Sequence, residues 1–356
     1  MSAVTAPRPA GQAGAGPDAL LEVRDLSVTF RRGKGEVRAV NGLGYRVEAG
    51  RTVAIIGESG SGKTVSSRAV MGLLPASAAV TGSARLDGAE LIGLSPRAMR
   101  RHRGADIAMV FQDPGRSLNP TIRVGHQITE AIRAHLPLSR RQAHERAVEL
   151  LGLVRLSAPA HRFDEYPHQL SGGMRQRVMI ALALSCGPRL LIADEATTAL
   201  DVTTQAQVMD LLMDLKSQLG MALVMISHDL SLAASYADDV IVMYAGQLVE
   251  QAPTKALFSD VRMPYTRALL EAIPRLEREP HEMLPPIPGR PPDLSARPAG
   301  CPFAPRCAYA FGPCATVPPA LQELPDRNGW QVACHLHDPA HGAPGFPSLE
   351  MSHERA

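Results

Sequence analysis

The chain has 356 residues, of which 45% are hydrophobic, so it can bury a substantial core and form two or three units of ~100–200 residues. Its formal net charge of +2 argues against a dedicated nucleic-acid-binding protein, which would concentrate a strong basic excess on one face. No apolar run approaches the ~18 residues that a membrane span needs, and the first residues lack the charged-then-apolar order of a signal peptide. We therefore expect a globular, cytoplasmic protein.

The N-terminal part is predicted to contain a tail followed by strands. Residues 1–19 are rich in Ala, Gly and Pro, which predicts a flexible tail. Residues 21–30 and 43–47 alternate apolar and polar side chains, as β-strands do. Residues 51–56 form a further apolar run and predict a buried strand.

Directly after this run comes GESGSGKT at residues 57–64, the pattern G-x-x-x-x-G-K-[ST] of a phosphate-binding loop. Its Gly and Ser residues let the backbone curl tightly and aim several N–H groups at one polyphosphate. The following helix adds its positive end, Lys63 reaches the terminal phosphates, and the Thr64 hydroxyl is placed for Mg²⁺. The loop predicts a nucleotide-binding site without indicating which reaction occurs there.

The middle of the chain changes from strand-like to helical patterns. A hairpin is predicted around Asp87 and Gly88, because Asp-Gly is a strong two-residue turn signal. Residues 106–111 predict a buried strand, and residues 113–168 predict a helical insertion in an α/β core. One helix of that insertion is expected to begin at Ser139. Its apolar face consists of Ala143, Ala147, Leu150 and Leu151.

The second half alternates strands with helices. Strand-like runs at 189–193 and 221–226 enclose a helix-like segment at 204–219, and residues 240–250 predict a hairpin. This alternation predicts a largely parallel sheet, in which ligands bind at the carboxyl ends of the strands.

Polar side chains follow two of these strands. Asp194 and Glu195 come after the first, and because neighbouring strand residues point to opposite faces, one carboxylate can hold Mg²⁺ while the other faces an attacking water. His228 follows the second strand, where an imidazole could contact a terminal phosphate. The carboxyl edge of the sheet is therefore the predicted catalytic site.

A second anion site is predicted at LSGGMRQ, residues 170–176. Ser171 can cap the helix that follows, while Gly172 and Gly173 leave backbone N–H groups exposed. If two such domains face each other head to tail, this helix end closes over the nucleotide held by the opposite domain.

With these motifs in this order, residues 21–260 resemble the ATP-binding subunit of an ABC transporter. GESGSGKT is similar to the Walker A loop, VFQDP to the Q-loop, LSGGMRQ to the family signature, LLIADEAT to the Walker B strand, and Ala199-Leu200-Asp201 to the D-loop. The resemblance implies an α/β fold, a P-loop NTPase (ABC ATPase) core at 20–262 with an antiparallel β edge and a helical subdomain.

The resemblance also implies a role for each motif residue. Glu195, His228 and Lys63 would be catalytic, with Glu195 as the general base on the hydrolytic water and His228 contacting the γ-phosphate. Mg²⁺ would be surrounded by Thr64, Gln112 and Asp194. ATP would be bound by Gly57, Glu58, Ser59, Gly60, Ser61, Gly62, Lys63, Thr64 and Val65, with Phe30 stacking on adenine; core packing is the alternative for Phe30. The partner's site would be completed by Ser171, Gly172, Gly173 and Gln176, with Asp201 in the D-loop.

Residues 263–340 are rich in Pro and are expected to form an extension that does not continue the sheet, followed by a flexible tail at 341–356. This segment is similar to the C-terminal extension of oligopeptide and dipeptide importer ATPases, a family that also includes nickel and glutathione members. Uptake of peptides is therefore the expected function, with nickel, glutathione or another small solute as alternatives.

The extension contains four cysteines, Cys301, Cys307, Cys314 and Cys334. Four thiolates in Pro-stiffened loops suit a tetrahedral zinc ion or a four-iron cluster, and the alternative is four unligated buried thiols. Because some members of the importer family carry a [4Fe-4S] cluster on such cysteines, the resemblance favours iron–sulfur over zinc. His335 and His337 could substitute as ligands. A different possibility is a redox or metal sensor that gates a transporter.

The resemblance implies a complex at the cytoplasmic face of the cell membrane, to which this chain would bind peripherally. Its partners would be a second ABC ATPase subunit, in preference a paralogue, two transmembrane permease subunits and an extracytoplasmic solute-binding protein, without nucleic acid. The competing interpretation is a soluble ABC-type ATPase of DNA repair or translation, which would have no permease.

Overall fold

A computed structural model of the chain describes residues 19–32, 35–197, 201–272, 287–325, 327 and 329–341. The predicted tails therefore lie outside the described residues, apart from one residue at each boundary. Ala19, the last residue of the predicted N-terminal tail, already belongs to the first strand.

The described residues form strands and α-helices that alternate in the second half, as expected. The strands are β1 (Ala19–Arg32), β2 (Gly35–Glu48), β3 (Thr52–Ile56), β4 (Ala78–Leu86), β5 (Ala89–Glu90), β6 (Ile107–Val110), β7 (Leu190–Asp194), β8 (Ala222–Ser227), β9 (Asp239–Tyr244), β10 (Gln247–Pro253), β11 (Gln322–Glu323) and β12 (Gln331–Val332). The α-helices are α1 (Lys63–Val70), α2 (Pro96–His102), α3 (Pro114–Ser117), α4 (Val124–His135), α5 (Arg140–Leu153), α6 (Pro159–Phe163), α7 (Gly172–Ala183), α8 (Val202–Leu219), α9 (Leu230–Tyr236), α10 (Thr254–Ser259) and α11 (Pro264–Glu271).

A mixed sheet forms the centre of the fold, with the strand order β11-β12-β10-β9-β3-β8-β7-β6. The run from β9 to β6 is parallel, whereas β10, β12 and β11 pair antiparallel at one side. Parallel strands place their carboxyl ends on one edge. The strand order therefore brings the ends of β3, β7 and β8 together.

Both faces of the parallel strands are covered, which explains why their sequences are apolar throughout. In β3, Ala54 and Ile56 belong to a core cluster that also contains residues of α4, α5, α7 and α8. Val53 and Ile55 belong to a second cluster, shared with β1 and β2. The central sheet therefore lies between helices on one side and a second sheet on the other.

The second sheet is antiparallel, with the order β2-β1-β4-β5, which confirms the predicted antiparallel edge. Its hairpin turns at Asp87 and Gly88, whose φ angles of 51° and 79° lie in the left-handed region. Asp and Gly tolerate this region better than most residues do, so the predicted turn is confirmed.

The predicted helical insertion contains α3, α4, α5 and α6. Ser139 caps α5 in a capping box with Gln142, because each side chain bonds to the backbone of the other. The predicted apolar face of α5 is buried, since Ala143, Ala147 and Leu151 are 0% exposed and Leu150 is 1% exposed. The helix start and its packing face both follow the sequence pattern.

The extension differs from the expectation that it would not continue the sheet. β12 pairs with β10, and β11 pairs with β12, so two short strands extend the central sheet at its antiparallel side. Trp330, just before β12, is 1% exposed and lies in the same core cluster as the helical face of the sheet. The free energy gained by burying this large indole offsets the conformational entropy lost when a segment with little regular secondary structure becomes ordered.

Candidate nucleotide site

The GESGSGKT segment connects β3 to α1 as a loop that requires glycine. Gly57 has a φ of 149°, and a Cβ there would lie 2.2 Å from the carbonyl oxygen of Met243. Gly62 has a φ of 100°, and its Cβ would lie 2.6 Å from the carbonyl oxygen of Ala39. Neighbouring backbone therefore confines the loop at both ends, and only glycine fits these two positions.

Lys63 begins α1 and folds back over the loop. Its Nζ donates hydrogen bonds to the carbonyl oxygens of Gly57 at 2.7 Å and Glu58 at 2.9 Å. The residue is 4% exposed, and burial lowers the pKa of its ammonium group. The positive charge is thus held in the concave side of the loop, where a polyphosphate would neutralise it.

Thr64 and Asp194 meet although they are 130 residues apart in the chain. The Thr64 hydroxyl donates to Oδ1 of Asp194 at 2.8 Å, because the parallel pairing of β3, β8 and β7 aligns the ends of these strands. Asp194 is 1% exposed, and burial raises the pKa of its carboxyl group.

The other carboxylate oxygen of Asp194, Oδ2, is buried and has no hydrogen-bond partner among the described residues. A buried carboxylate oxygen without a partner is unfavourable unless a cation or ordered water satisfies it. Together with the Thr64 hydroxyl, it forms the hard oxygen donor set that Mg²⁺ prefers. Thr64 and Asp194 therefore fit the predicted Mg²⁺, whereas the amide of Gln112, the third residue predicted there, donates to Glu195.

Glu195 is the point at which the predicted catalytic residues converge. Nε2 of Gln112 donates to its Oε2 at 2.7 Å, and Nδ1 of His228 lies 3.6 Å from its Oε1. The backbone of Glu195 has a φ of 48°, and its N–H donates to the carbonyl of Ile226 on β8 at 3.0 Å. A non-glycine residue in this strained region is held there by its neighbours, here at the edge where a nucleophilic water would be activated.

The LSGGMRQ segment forms the start of α7, as predicted. Ser171 is the N-cap, and its Oγ accepts a hydrogen bond from the Met174 N–H at 3.3 Å. Ser171 and Gly172 are exposed, which suits contact with an opposing molecule. Gln176 is only 1% exposed, so the structure places this signature residue in the interior of the subunit.

A cleft of about 550 Å³ opens at this helix end. Asp201 also lines it and caps α8, accepting hydrogen bonds from the Thr204 N–H at 3.0 Å and from the Thr204 hydroxyl at 2.7 Å. The other D-loop residues, Ala199 and Leu200, lie outside the described residues. The cleft is also lined by Ser171, Gly172 and Gly173.

Phe30 and Val65 pack against the apolar cluster between the two sheets. Phe30 lies near the end of β1, opposite Val37 of β2 and Ala78 of β4. This packing corresponds to the alternative considered for Phe30, and its contact with adenine stays a prediction.

The predicted metal centre is not supported. Among the residues that the structure describes, no group of three or more His, Cys, Asp or Glu side chains is arranged to hold a metal ion. Burial raises the pKa of Cys301, that of Cys307 to about 11 and that of Cys334 to about 12. Burial thus disfavours the charged thiolate form of these three side chains.

The two histidines proposed as substitute ligands, His335 and His337, are engaged elsewhere. His335 bonds through Nε2 to the carbonyl of Val317, and His337 bonds through Nε2 to the carbonyl of Arg262, each at 2.8 Å. Burial lowers the pKa of His337. Both rings contribute to fixing the extension in place.

Arg306, a side chain of the extension, reaches the phosphate-binding loop and was not among the residues predicted for the site. Its guanidinium donates to both carboxylate oxygens of Glu58, at 2.7 Å and 2.9 Å. The available signal was weak, a single charged residue within the Pro- and Cys-rich stretch CPFAPRC. Since Glu58 and Arg306 are 248 residues apart, no local pattern predicts the contact.

Two family profiles match the chain. One, described as ABC transporter, covers residues 40–198. The other, described as the C-terminal region of oligopeptide/dipeptide transporters, covers residues 249–314. The first contains the phosphate-binding loop and the signature, and the second contains Arg306 and three of the extension's four cysteines.

Curated relatives match over most of the chain. An oligopeptide transport ATP-binding protein, OppD, of Escherichia coli is 48% identical over 87% of this chain and 92% of its own length. A dipeptide transport ATP-binding protein, DppD, of the same organism is 49% identical over 89% of this chain and 96% of its own length. OppD of Mycobacterium bovis is 52% identical over 86% of this chain, which spans half the length of that relative.

Solved structures show the same fold. The chain is similar to the ATP-binding cassette MJ0796, solved as a dimer in a post-hydrolysis state with ADP and phosphate, with a TM-score of 0.59 and 26% identity over 66% of this chain and 98% of that one. The α/β P-loop NTPase prediction is therefore confirmed. The chain belongs to the ABC transporter family of ATP-binding proteins, in the group that carries the oligopeptide/dipeptide transporter C-terminal region.

Proposed function

We propose that this protein hydrolyses ATP to drive the uptake of oligopeptides or dipeptides, as a peripheral subunit at the cytoplasmic face of the cell membrane. It would act with a second ATP-binding subunit, two transmembrane permease subunits and an extracytoplasmic solute-binding protein. Within the described part of the chain, no helix is long and apolar enough to cross a bilayer. The permease partners would therefore supply the path across the membrane.

The observation that carries the ATPase assignment is the convergence of Gln112 and His228 on Glu195, beside the Thr64–Asp194 pair. Glu195 is the side chain that would take a proton from the attacking water. Gln112 donates a hydrogen bond to its carboxylate, and His228 lies beside it. Mg²⁺, when bound by Thr64 and Asp194, would offset the charge of the phosphates.

The second ATP-binding subunit is proposed from the position of the signature. Ser171 and Gly172 are exposed at a helix end, beside a cleft that Asp201 also lines. Exposed N–H groups at a helix start attract a phosphate, and the nucleotide that they contact would be held by the opposing subunit. Closure on ATP and opening after hydrolysis would then convert chemical energy into movement of the permeases.

The catalytic assignment is tested by Glu195→Gln. The variant keeps the size of the side chain but cannot accept the proton, so we expect the turnover number to fall by roughly 100-fold or more, with ATP binding retained and the closed dimer accumulating. ATPase activity and nucleotide affinity of the assembled complex measure this. Glu323→Gln, which removes an exposed carboxylate of β11, is the control. Unimpaired hydrolysis by Glu195→Gln would exclude Glu195 as the base.

The substrate is tested by transport. The complex, reconstituted in vesicles with its permeases and binding protein, should take up labelled dipeptides or oligopeptides when ATP is present on the cytoplasmic side. Nickel and glutathione serve as competitors. Uptake of either of these without uptake of peptides would replace the peptide assignment by one of the alternatives.

The metal centre has a separate test, because it stays a prediction that the structure does not support. Protein purified without air is analysed for iron, sulfide and zinc. Stoichiometric iron and sulfide in brown protein would restore the [4Fe-4S] prediction. Colourless protein with one zinc would favour zinc, and protein with neither metal would favour four unligated thiols.

A further inference from the structure

Glu58, the second residue of the phosphate-binding loop, is held on three sides. Its N–H donates to the hydroxyl of Tyr265 in α11 at 2.8 Å, and its carbonyl oxygen accepts from Nζ of Lys63 at 2.9 Å. Its carboxylate receives both N–H groups of the Arg306 fork, at 2.7 Å and 2.9 Å. Two of the three anchors come from the C-terminal part of the chain, and only one comes from the loop itself.

Arg306 is also held by contacts other than the one with Glu58. Its side chain is 4% exposed, its Nε donates to the carbonyl of Pro288 at 2.8 Å, and one terminal nitrogen also donates to the Tyr244 hydroxyl at 3.1 Å. A bidentate guanidinium–carboxylate pair is directional and stronger than a neutral hydrogen bond. Because the guanidinium is already oriented, it fixes Glu58 without ordering a mobile side chain.

An aromatic cluster joins the two anchors to the central sheet. The rings of Tyr244 at the end of β9, Tyr265 of α11 and Phe303 of the extension have centroids 4.5 to 5.4 Å apart. Such pairs add to the burial energy of each ring. Tyr244 directly follows Met243, whose carbonyl lies against Gly57, so the cluster also braces the strand on which the loop rests.

We propose that Arg306 and Tyr265 are positioning residues that hold the phosphate-binding loop in its nucleotide-binding conformation, so that ATP affinity depends on the docked C-terminal extension. The loop binds phosphate through backbone N–H groups, and its glycines at positive φ lose much conformational freedom when they are ordered. External anchors that order the loop in advance reduce this cost of binding. The inference rests on ATP binding by the loop and goes beyond the proposed transport function.

Arg306→Gln in the full-length chain tests the proposal. We expect the Kd for ATP, measured by titration with a fluorescent ATP analogue, to rise roughly tenfold. KM in the assembled complex should rise similarly, with kcat changed less than about twofold. The matched control is Arg327→Gln, another extension arginine that pairs with a carboxylate of the ATPase core, Asp260 at 2.6 Å. Arg327→Gln should lower the unfolding free energy of the protein without changing its affinity for ATP.

A second variant covers the case in which Arg306→Gln does not fold. Tyr265→Phe keeps the ring and its packing but removes the acceptor of the Glu58 N–H, and it should raise the Kd for ATP by roughly three- to tenfold. In a double-mutant cycle, the effects of Glu58→Gln and Arg306→Gln on Kd should be less than additive, because both remove the same pair.

Wild-type affinity in both Arg306→Gln and Tyr265→Phe would overturn the proposal, as would additive effects in the cycle. Arg306→Lys gives a further readout, since it keeps the charge but lacks the fork, and its Kd should lie between those of wild type and Arg306→Gln. The binding measurement needs no transport substrate. Failure of peptide transport would therefore contradict the proposed function and leave this inference standing on its own result.

Discussion

Glu250 provides a quantitative test of how the extension docks on the central sheet. It lies in β10 and is 0% exposed. Its Oε1 accepts hydrogen bonds from the indole N–H of Trp330 and from the N–H of Arg262, each at 3.1 Å. Burial raises the pKa of its carboxyl group from 4.5 to about 7, because the charged form loses its hydration in the interior.

The consequence for stability follows from proton linkage. Below pH 4.5 the carboxyl group is protonated in both the unfolded and the folded protein. Above that pH the unfolded chain releases the proton first, while the folded protein keeps it until pH rises through about 7. The folded state binds more protons in this window, so stability falls as pH rises, by roughly 3 kcal/mol in total.

Glu250→Gln removes this titration and keeps an oxygen acceptor for Trp330. Relative to wild type, the variant should gain roughly 2 to 3 kcal/mol of unfolding free energy between pH 5 and pH 8.5. Urea unfolding followed by the fluorescence of Trp330, the single tryptophan, measures this difference, and equal m-values would show that the same surface unfolds in both proteins. Glu323→Gln, on the surface of β11, is the control for losing one charge.

The difference between Glu250→Gln and wild type isolates this carboxyl group, because every other titrating group is present in both proteins. If the difference stays constant across this pH range, or if wild type gains stability relative to the variant as pH rises, the argument from burial is wrong.

Three further predictions concern the loop, the cation site and the helical insertion. Gly57→Ala places a Cβ 2.2 Å from the carbonyl oxygen of Met243 and should abolish detectable ATP binding. The control is Gly50→Ala, which is also at positive φ but has nothing within 4 Å of its Cβ, and it should retain ATP binding. ATP binding by Gly57→Ala would contradict the steric argument. Asp194→Asn keeps an acceptor for the Thr64 hydroxyl but lacks the negative charge. The Mg²⁺ concentration that gives half-maximal ATPase activity should therefore rise roughly 10- to 100-fold. An unchanged Mg²⁺ concentration for half-maximal activity would exclude Asp194 as a ligand. Ser139→Ala removes the cap of α5 and should lower the unfolding free energy by about 1 kcal/mol, measured by urea unfolding, whereas Ser139→Thr should restore most of it.

Local features of this protein could be predicted from the sequence because short stretches of chain specify them. The Asp87-Gly88 hairpin depends on two residues that tolerate a positive φ, and α5 depends on a cap at Ser139 and an apolar face of period 3.6. The phosphate-binding loop is likewise a contiguous motif between a strand and a helix. Each of these features involves neighbours within a few residues.

The contacts between distant parts of the chain depend on the order of the strands in the sheet. Thr64 meets Asp194 because β8 lies between β3 and β7, and the sequence shows only that three apolar strands exist. The extension joins the sheet through β12, contrary to expectation, because β10 offers a free edge and the buried Trp330 stabilises the contact. The backbone groups of an edge strand pair with whatever chain reaches them, and short-range patterns do not indicate which one does.

The four extension cysteines and the Glu58–Arg306 pair illustrate the same limit in side-chain chemistry. The sequence determined which groups are present: four thiols, a carboxylate in the loop and an arginine in the extension. Only the tertiary structure decided that Cys301, Cys307 and Cys334 are partly buried, which raises the pKa of each thiol, and that Arg306 meets Glu58. Burial and pairing depend on which distant segments come together, and those contacts are set by packing of the whole core, whereas turns and helix caps are set by backbone sterics and hydrogen bonds within a few residues.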